Sequence, residues 1–293
     1  MTSKLIVKTL GALTMFGCMA LSAPNAKTDD NPIAIGLEQP ATAEMIKDVA
    51  TRGSPIEVWE TLEHGERVEC LDCLSYVEPL LFDKDARVRE IAAWWIRRRP
   101  FGYAEIALRV RDTVVKDADP ARRAAAASAL GEFLDTGATP LVMKAAIDSD
   151  ASVRLAAMGA LRRLNDVDSA PTIATALADG DVAVRKAAID AATHVSGFTD
   201  TGAMAKLVSD PDASVRAKAC DALAGFKVKG AVGGLAAVSK TDPDEEVRIA
   251  AVNALGEIGD ASGKSAVEAA TSDSSSRVRD AAKVAQLKLT GSL

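Results

Sequence analysis

Apolar positions in this chain recur on two scales. Within each short stretch they fall at i, i+3, i+4 and i+7, the stripe of a helix that buries one face, and strand-like alternation is absent. On the longer scale a whole phrase returns seven times: an aspartate, a few small residues, Val-Arg, then an alanine-rich apolar run. Aligned on the arginine, the copies are Asp85 to Arg89, Asp119 to Arg123, Asp150 to Arg154, Asp181 to Arg185, Asp212 to Arg216, Asp244 to Arg248 and Ser275 to Arg279. The steps between arginines are 34, 31, 31, 31, 32 and 31 residues. A period of this size means one supersecondary unit repeated, each unable to bury its apolar face without its neighbours.

Each unit divides into two helices. Counting from the arginine, position +7 is Ile96, Leu130, Leu161, Ala192, Leu223 and Leu255 in the first six copies, and position +10 is apolar in every copy but the first. This run is helix B. Upstream lie shorter apolar stretches such as Pro140 to Ile147, Pro171 to Leu177 and Ala203 to Val208, each long enough for a short helix A. The expectation is an all-α solenoid of about seven helix pairs over residues 55–290, with an atypical N-terminal capping region at 55–103. Residues 27–54, rich in Pro, Thr, Asp and Asn, read as a flexible lead-in holding one short helix from Glu44 to Ala50. The far end turns polar, as a terminal repeat requires.

Six copies carry Asp-x-Asp at the A–B turn, from Asp83/Asp85 to Asp242/Asp244. The second aspartate stands where an N-cap belongs, its carboxylate accepting orphan N–H groups at the positive end of helix B. Calcium would want six to eight converging oxygens, more than two carboxylates supply. The recurring arginine, one turn into the helix, can reach an aspartate of its own or the adjacent repeat. That predicts a ladder of exposed pairs, Asp85, Asp119, Asp150, Asp181, Asp212 and Asp244 with Arg89, Arg123, Arg154, Arg185, Arg216, Arg248 and Arg279, whose role is register rather than stability.

The phrase D-x-D-x-x-V-R-x-A-A-x-x-A-L-G, written out in Asp244-Glu245-Glu246-Val247-Arg248-Ile249-Ala250-Ala251-Val252-Asn253-Ala254-Leu255-Gly256, resembles the short HEAT-like repeat of phycobilisome lyases and deoxyhypusine hydroxylase. The resemblance covers about residues 70 to 290. It implies an α-solenoid whose B helices line a concave face that grips a protein partner. The hydroxylase holds two irons on repeated His-Glu pairs, whereas this chain has only His64 and His194, neither followed by glutamate, which argues that activity away. Nothing local identifies a bilin-lyase site, and no metal or cofactor set is read from the residues.

Composition adds two exclusions and a compartment. A net charge of −6 argues against nucleic acid, which demands a dense basic face. Lys4 and Lys8 precede an apolar run from Leu10 to Leu21 and then Ser22-Ala23-Pro24-Asn25-Ala26, the layout of a secretory signal over residues 1–26, too short for a mature anchor. Ordinary cleavage near Ala26 is the expected fate; Cys18, after Gly17, leaves lipid anchoring as the alternative. The expected location is the periplasm or cell envelope.

Three features depart from the repeat. Arg97-Arg98-Arg99 follows Trp94-Trp95 at the end of the first B helix. Trp95 falls at a position occupied by Ala160 and Ala254 elsewhere, hence a core position enlarged; Trp94 falls where Ser128, Gly159, Asp190, Asp221 and Asn253 stand, a solvent-facing series. Trp94 is then either covered by N-terminal helices carrying Trp59 and Leu62 or, with Arg97 and Arg98, a partner-binding anchor of the Trp/Arg type that dominates interfaces. Arg99 takes the otherwise apolar +10 position, so the helix must end early or the charge must find a partner. Finally, Cys70-Leu71-Asp72-Cys73 precedes the first A helix. In an exported protein this reads as a local disulfide; a thiol-redox or cofactor-handling pair is the alternative, lowered thiol pKa at a helix N-terminus being what redox sites use. Cys220 reads as a buried, inert small hydrophobe.

Overall fold

The computed structural model describes residues 41–291, and no strand occurs among them. The expected signal segment, residues 1–26, and Cys18 within it lie outside the described residues. α1 (Ala43–Arg52) and α2 (Pro55–His64) lead into seven A–B pairs. The A helices are α3 (Leu74–Val77), α5 (Pro100–Lys116), α7 (Thr139–Ala145), α9 (Ala170–Ala176), α11 (Thr201–Lys206), α13 (Val232–Thr241) and α15 (Lys264–Ala270). The B helices are α4 (Ala86–Arg97), α6 (Pro120–Phe133), α8 (Ala151–Leu164), α10 (Val182–His194), α12 (Ala213–Gly225), α14 (Glu245–Ile258) and α16 (Ser276–Leu289). Successive B helices stack on one another, and each A helix packs on its own B helix.

Every B helix starts on the residue the repeat supplies for it. Asp85, Asp119, Asp150, Asp181, Asp212, Asp244 and Ser275 are all N-caps, each side chain accepting a backbone N–H two residues on. The apolar stripe then forms one continuous core, with Val at the residue before each recurring arginine of α4, α8, α10, α12, α14 and α16 fully or almost fully buried. Gly131 lies where a β-carbon would stand 2.7 Å from the Ala160 Cα, and Gly256 where one would stand 2.8 Å from the Ala285 Cα. These two glycines let α6 approach α8, and α14 approach α16, more closely than any side chain permits.

Both ends are finished differently from the middle. α2 stacks on α4 and α1 on α3, so the pair α1–α2 takes the place of a preceding repeat. Ile46 and Leu62 are buried in that contact, so the folded unit begins at α1 rather than after Pro55. Ser54 and Glu57 start α2 with a reciprocal capping box. At the other end Lys283 occupies the slot that Ala93, Ala127, Met158, Ile189, Cys220 and Val252 bury, and Gln286 the slot of the +7 leucines.

Candidate functional site

The arginine ladder has a different acid partner from the expected one. Nε and Nη2 of Arg123, Arg154, Arg185, Arg216 and Arg248 donate a fork of two bonds, 2.7–3.1 Å long, to Asp148, Asp179, Asp210, Asp242 and Asp273 of the following repeat. The first four are the first aspartates of their pairs, and Asp273 holds the same place two residues before Ser275. The second aspartates are committed to their own helix N–H groups, which takes their carboxylates out of the ladder. Nη1 of each arginine meanwhile donates to the backbone carbonyl of its own first aspartate, so one guanidinium ties two consecutive turns. The rungs are not the exposed pairs the sequence suggested: Arg185 and Asp210 are both 7% exposed.

The ladder stops short at both ends. Among the described residues Arg89 binds only the carbonyls of Asp83 and Lys84, because the 34-residue first step carries the long helix α5 and Asp117 pairs with Arg122 instead. Among the described residues Arg279 binds only the Asp273 and Ser274 carbonyls. The guanidinium forks on Asp148, Asp179 and Asp273 hold these carboxyls below the usual carboxylate range.

The N-terminal end departs from this regularity in a single cluster. Trp95 is fully buried, and its Nε1 donates to the Gly65 carbonyl at 3.1 Å. Arg99 lies with its guanidinium 3.3 Å above that indole. Its Nη2 donates to the carbonyls of Gly65, Glu66 and Val68 at 2.8, 3.0 and 3.1 Å, and its Nη1 to that of Trp95 at 2.7 Å. Both outcomes required of this residue occur: α4 ends at Arg97, and the charge finds partners. Those partners are the carbonyls at and beyond the end of α2, where a helix carries partial negative charge. No carboxylate pairs with Arg99 among the described residues, and burial, with the neighbouring Arg98 charge second, brings its pKa down to about 10.

Trp94 and Arg98 sit on the outside of this cluster. Trp94 is half-buried against the core, with the Arg98 guanidinium 3.8 Å over its ring. Arg98 Nε donates to Glu66 at 2.8 Å. Arg97 has no ion-pair partner among the described residues. The three residues therefore do not converge as one anchor: Arg98 is engaged on the α2 side, while Arg97 lies near the acid of Glu132 on α6.

Arg98 and Arg99 instead line a cavity of about 530 Å³ together with Arg67, Glu69, Cys70, Leu71, Pro100 and Phe101. The structure joins Cys70 to Cys73, with Cys73 wholly buried and its Sγ 3.6 Å from the Ala43 carbonyl. Two features separate in sequence thus meet at one pocket, through Cys70 of the cysteine pair and Arg98 and Arg99 of the arginine run. The chain turns into α5 through Gly102, whose positive φ of 97° seats it where a β-carbon would meet Leu74. That turn leaves Phe101 76% exposed at the pocket rim.

A charge network on the B helices was missed by the sequence reading. Arg163 on α8 contacts Glu132 on α6 at 2.7 Å and Glu90 on α4 at 3.9 Å. Burial raises the Glu132 pKa. Equivalent helix positions in adjacent repeats, one acidic and one basic, were the available signal. Cys220 is free and buried, its thiol pushed up to about 12 by burial. His64 and His194 each lie on the surface, the ring Nδ1 2.7 Å from the carbonyl four residues earlier. Among the described residues no three His, Cys, Asp or Glu side chains gather as a metal site, and no helix is long and apolar enough to cross a membrane.

A family model of HEAT repeats matches residues 109–193 and 202–286, more than half of the chain. The chain belongs to the HEAT-repeat family. Among solved structures, YibA of E. coli is similar over 84% of this chain and 92% of its own, at 16% identity and a TM-score of 0.62. Kap95p, in a structure describing its binding to RanGDP, aligns over 84% of this chain and 38% of its own, at 14% identity and a TM-score of 0.61. The complex of CpcE and CpcF of phycocyanin lyase from Nostoc aligns over 75% of this chain and 87% of that one, at 21% identity and a TM-score of 0.42. At these identities the likeness concerns fold. No curated protein matches the chain.

Proposed function

We propose that this HEAT array is a non-enzymatic scaffold of the cell envelope that holds a protein partner on its B-helix face, anchored at the N-terminal end. One observation carries the reading. The inner arginines of the repeats are consumed in the ladder, whereas Arg97 forms no ion pair among the described residues and Trp94, under the Arg98 guanidinium, keeps part of its indole at the surface. Trp and Arg in such settings supply most of the binding energy in protein interfaces. The binding of RanGDP by Kap95p, a protein of similar fold, supports the binding of a protein partner. An envelope location is supported by the signal-like layout of residues 1–26 and by a disulfide, which oxidising compartments preserve.

The test is affinity capture from the source cells with the full chain, Trp94→Ala, and the double change Arg97→Ala with Arg98→Ala. Far-UV circular dichroism establishes that each variant is folded. Capture should weaken in the variants while helicity is kept; unchanged capture removes the anchor assignment. The second reading, thiol-redox work by Cys70 and Cys73, is favoured by the position of Cys70 on the cavity wall, and opposed by the burial of both cysteines, since an incoming thiolate must reach one of the two sulfurs.

A further inference from the structure

We propose that the cavity between residues 66–71 and 98–101 is the docking pocket for an acidic, apolar segment of that partner, taking a carboxylate on its guanidiniums and the adjoining apolar side chain between Leu71 and Phe101. The proposal rests on the scaffold reading and deepens it. A volume of about 530 Å³ lies within the usual range of ligand pockets. Leu71 and Phe101, 61% and 76% exposed, flank an opening whose wall holds Arg67, Arg98 and Arg99.

The charges are out of balance in one direction. Three guanidiniums face two carboxylates, Glu66 and Glu69, and Glu66 is already occupied by Arg98. Arg99 has only carbonyls for partners, and Arg67 forms no ion pair among the described residues. Arg99 is satisfied by those carbonyls, so the exposed Arg67 is the cation left to meet an incoming carboxylate, in a wall whose net charge is positive. The wall is also fixed before binding: Arg99 pins three carbonyls of the 65–68 segment, and the Cys70–Cys73 link fixes the next turn. A pocket that need not order itself on binding retains more of its interaction energy. A carboxylate with an apolar neighbour satisfies both halves of the site, where a bare anion satisfies only the charged half and a cation neither.

The test is an amide-resolved NMR titration of the full chain with acetyl-Asp-Leu-amide, its neutral counterpart acetyl-Asn-Leu-amide, and decanoate. The acidic dipeptide should move the amides of residues 66–71 and 98–101 saturably, with the millimolar affinity of so small a probe. The neutral dipeptide should bind at least about tenfold more weakly, since a charge-assisted bond is lost. Arg67→Gln and Phe101→Ser, both at exposed positions, should each weaken the acidic probe by about tenfold or more. Equal binding of the neutral dipeptide, shifts mapping elsewhere, or no saturable shift overturns the proposal. Tighter binding of decanoate overturns the protein source in favour of a lipid-like acid. If the dipeptide fails while Trp94-dependent capture persists, the pocket falls and the scaffold stands; loss of both removes both.

Discussion

Replacing Arg185 by methionine keeps most of the buried aliphatic stem and deletes the guanidinium from the middle rung. Four hydrogen bonds go with it: 2.7 and 2.8 Å to Asp210, and 2.8 and 3.3 Å to the carbonyls of Asp179 and Gly180. Breaking a buried pair from one side costs about 3–5 kcal/mol, chiefly because the remaining charge is stranded. Asp210 keeps the N–H of Asp212 at 2.9 Å, which places the expected loss near the lower end, about 3 kcal/mol. Arg89→Met is the internal control. It deletes bonds to two carbonyls and strands no carboxylate, so about 1 kcal/mol is expected. Adding Asp210→Asn to Arg185→Met should recover part of the loss, giving a coupling of about 1–3 kcal/mol. Because stability in a repeat array is a sum of local and interface contributions, global urea unfolding should be accompanied by hydrogen exchange of the α10 and α12 amides. Equal losses in Arg185→Met and Arg89→Met, or strict additivity in the double variant, would refute the claim that the rungs tie repeat to repeat.

The remaining expectations concern acid, packing and thiols. The carboxyls of Asp148, Asp179 and Asp273 have folded pKa values below the unfolded value of about 3.9, so their stabilisation is complete above that pH and is lost as pH falls through the folded values. The urea midpoint should therefore be flat near neutrality and drop below about pH 4; a midpoint that rises on acidification contradicts the assignment. Gly131→Ala should lose about 1–3 kcal/mol by forcing α6 and α8 apart, whereas Gly159→Ala, at a helical site with open space, should gain up to about 1 kcal/mol; thermal melts with the same sign for both would contradict the packing account. In alkylation followed by intact mass, Cys220 should stay unmodified until the chain unfolds, and Cys70 and Cys73 should react only after reduction.

Much of this fold was legible because it is periodic. The N-caps from Asp85 to Ser275 follow from one local rule applied seven times, and so do the B helices. The ladder was legible in outline and wrong in detail: each Asp-x-Asp offers two carboxylates, and the geometry of capping, which consumes the second, leaves the first for the neighbouring arginine. The pair α1–α2 lacks the phrase entirely: α1 reads only as a short helix in a lead-in and α2 as part of the capping region from residue 55, although Ser54-Pro55-Ile56-Glu57 carries the signature of a capped helix start. The N-terminal cluster was visible only as a set of anomalies. Arg99 could be recognised as a charge in an apolar slot, but its partners are backbone carbonyls more than thirty residues upstream, which no side-chain pattern encodes. For the same reason nothing in the sequence brought Cys70 to the wall that Arg98 and Arg99 form.

Site-specific photo-crosslinking in the source cells bears most directly on the scaffold reading. A photoreactive side chain would be placed in turn at Arg97 and Phe101, at the N-terminal end, and at Lys240 and Lys264, on A helices far along the array. The account predicts one discrete adduct of the same mass from the first two positions and none from the others. Adducts from the A-helix positions alone, or none from Arg97 and Phe101, would contradict it.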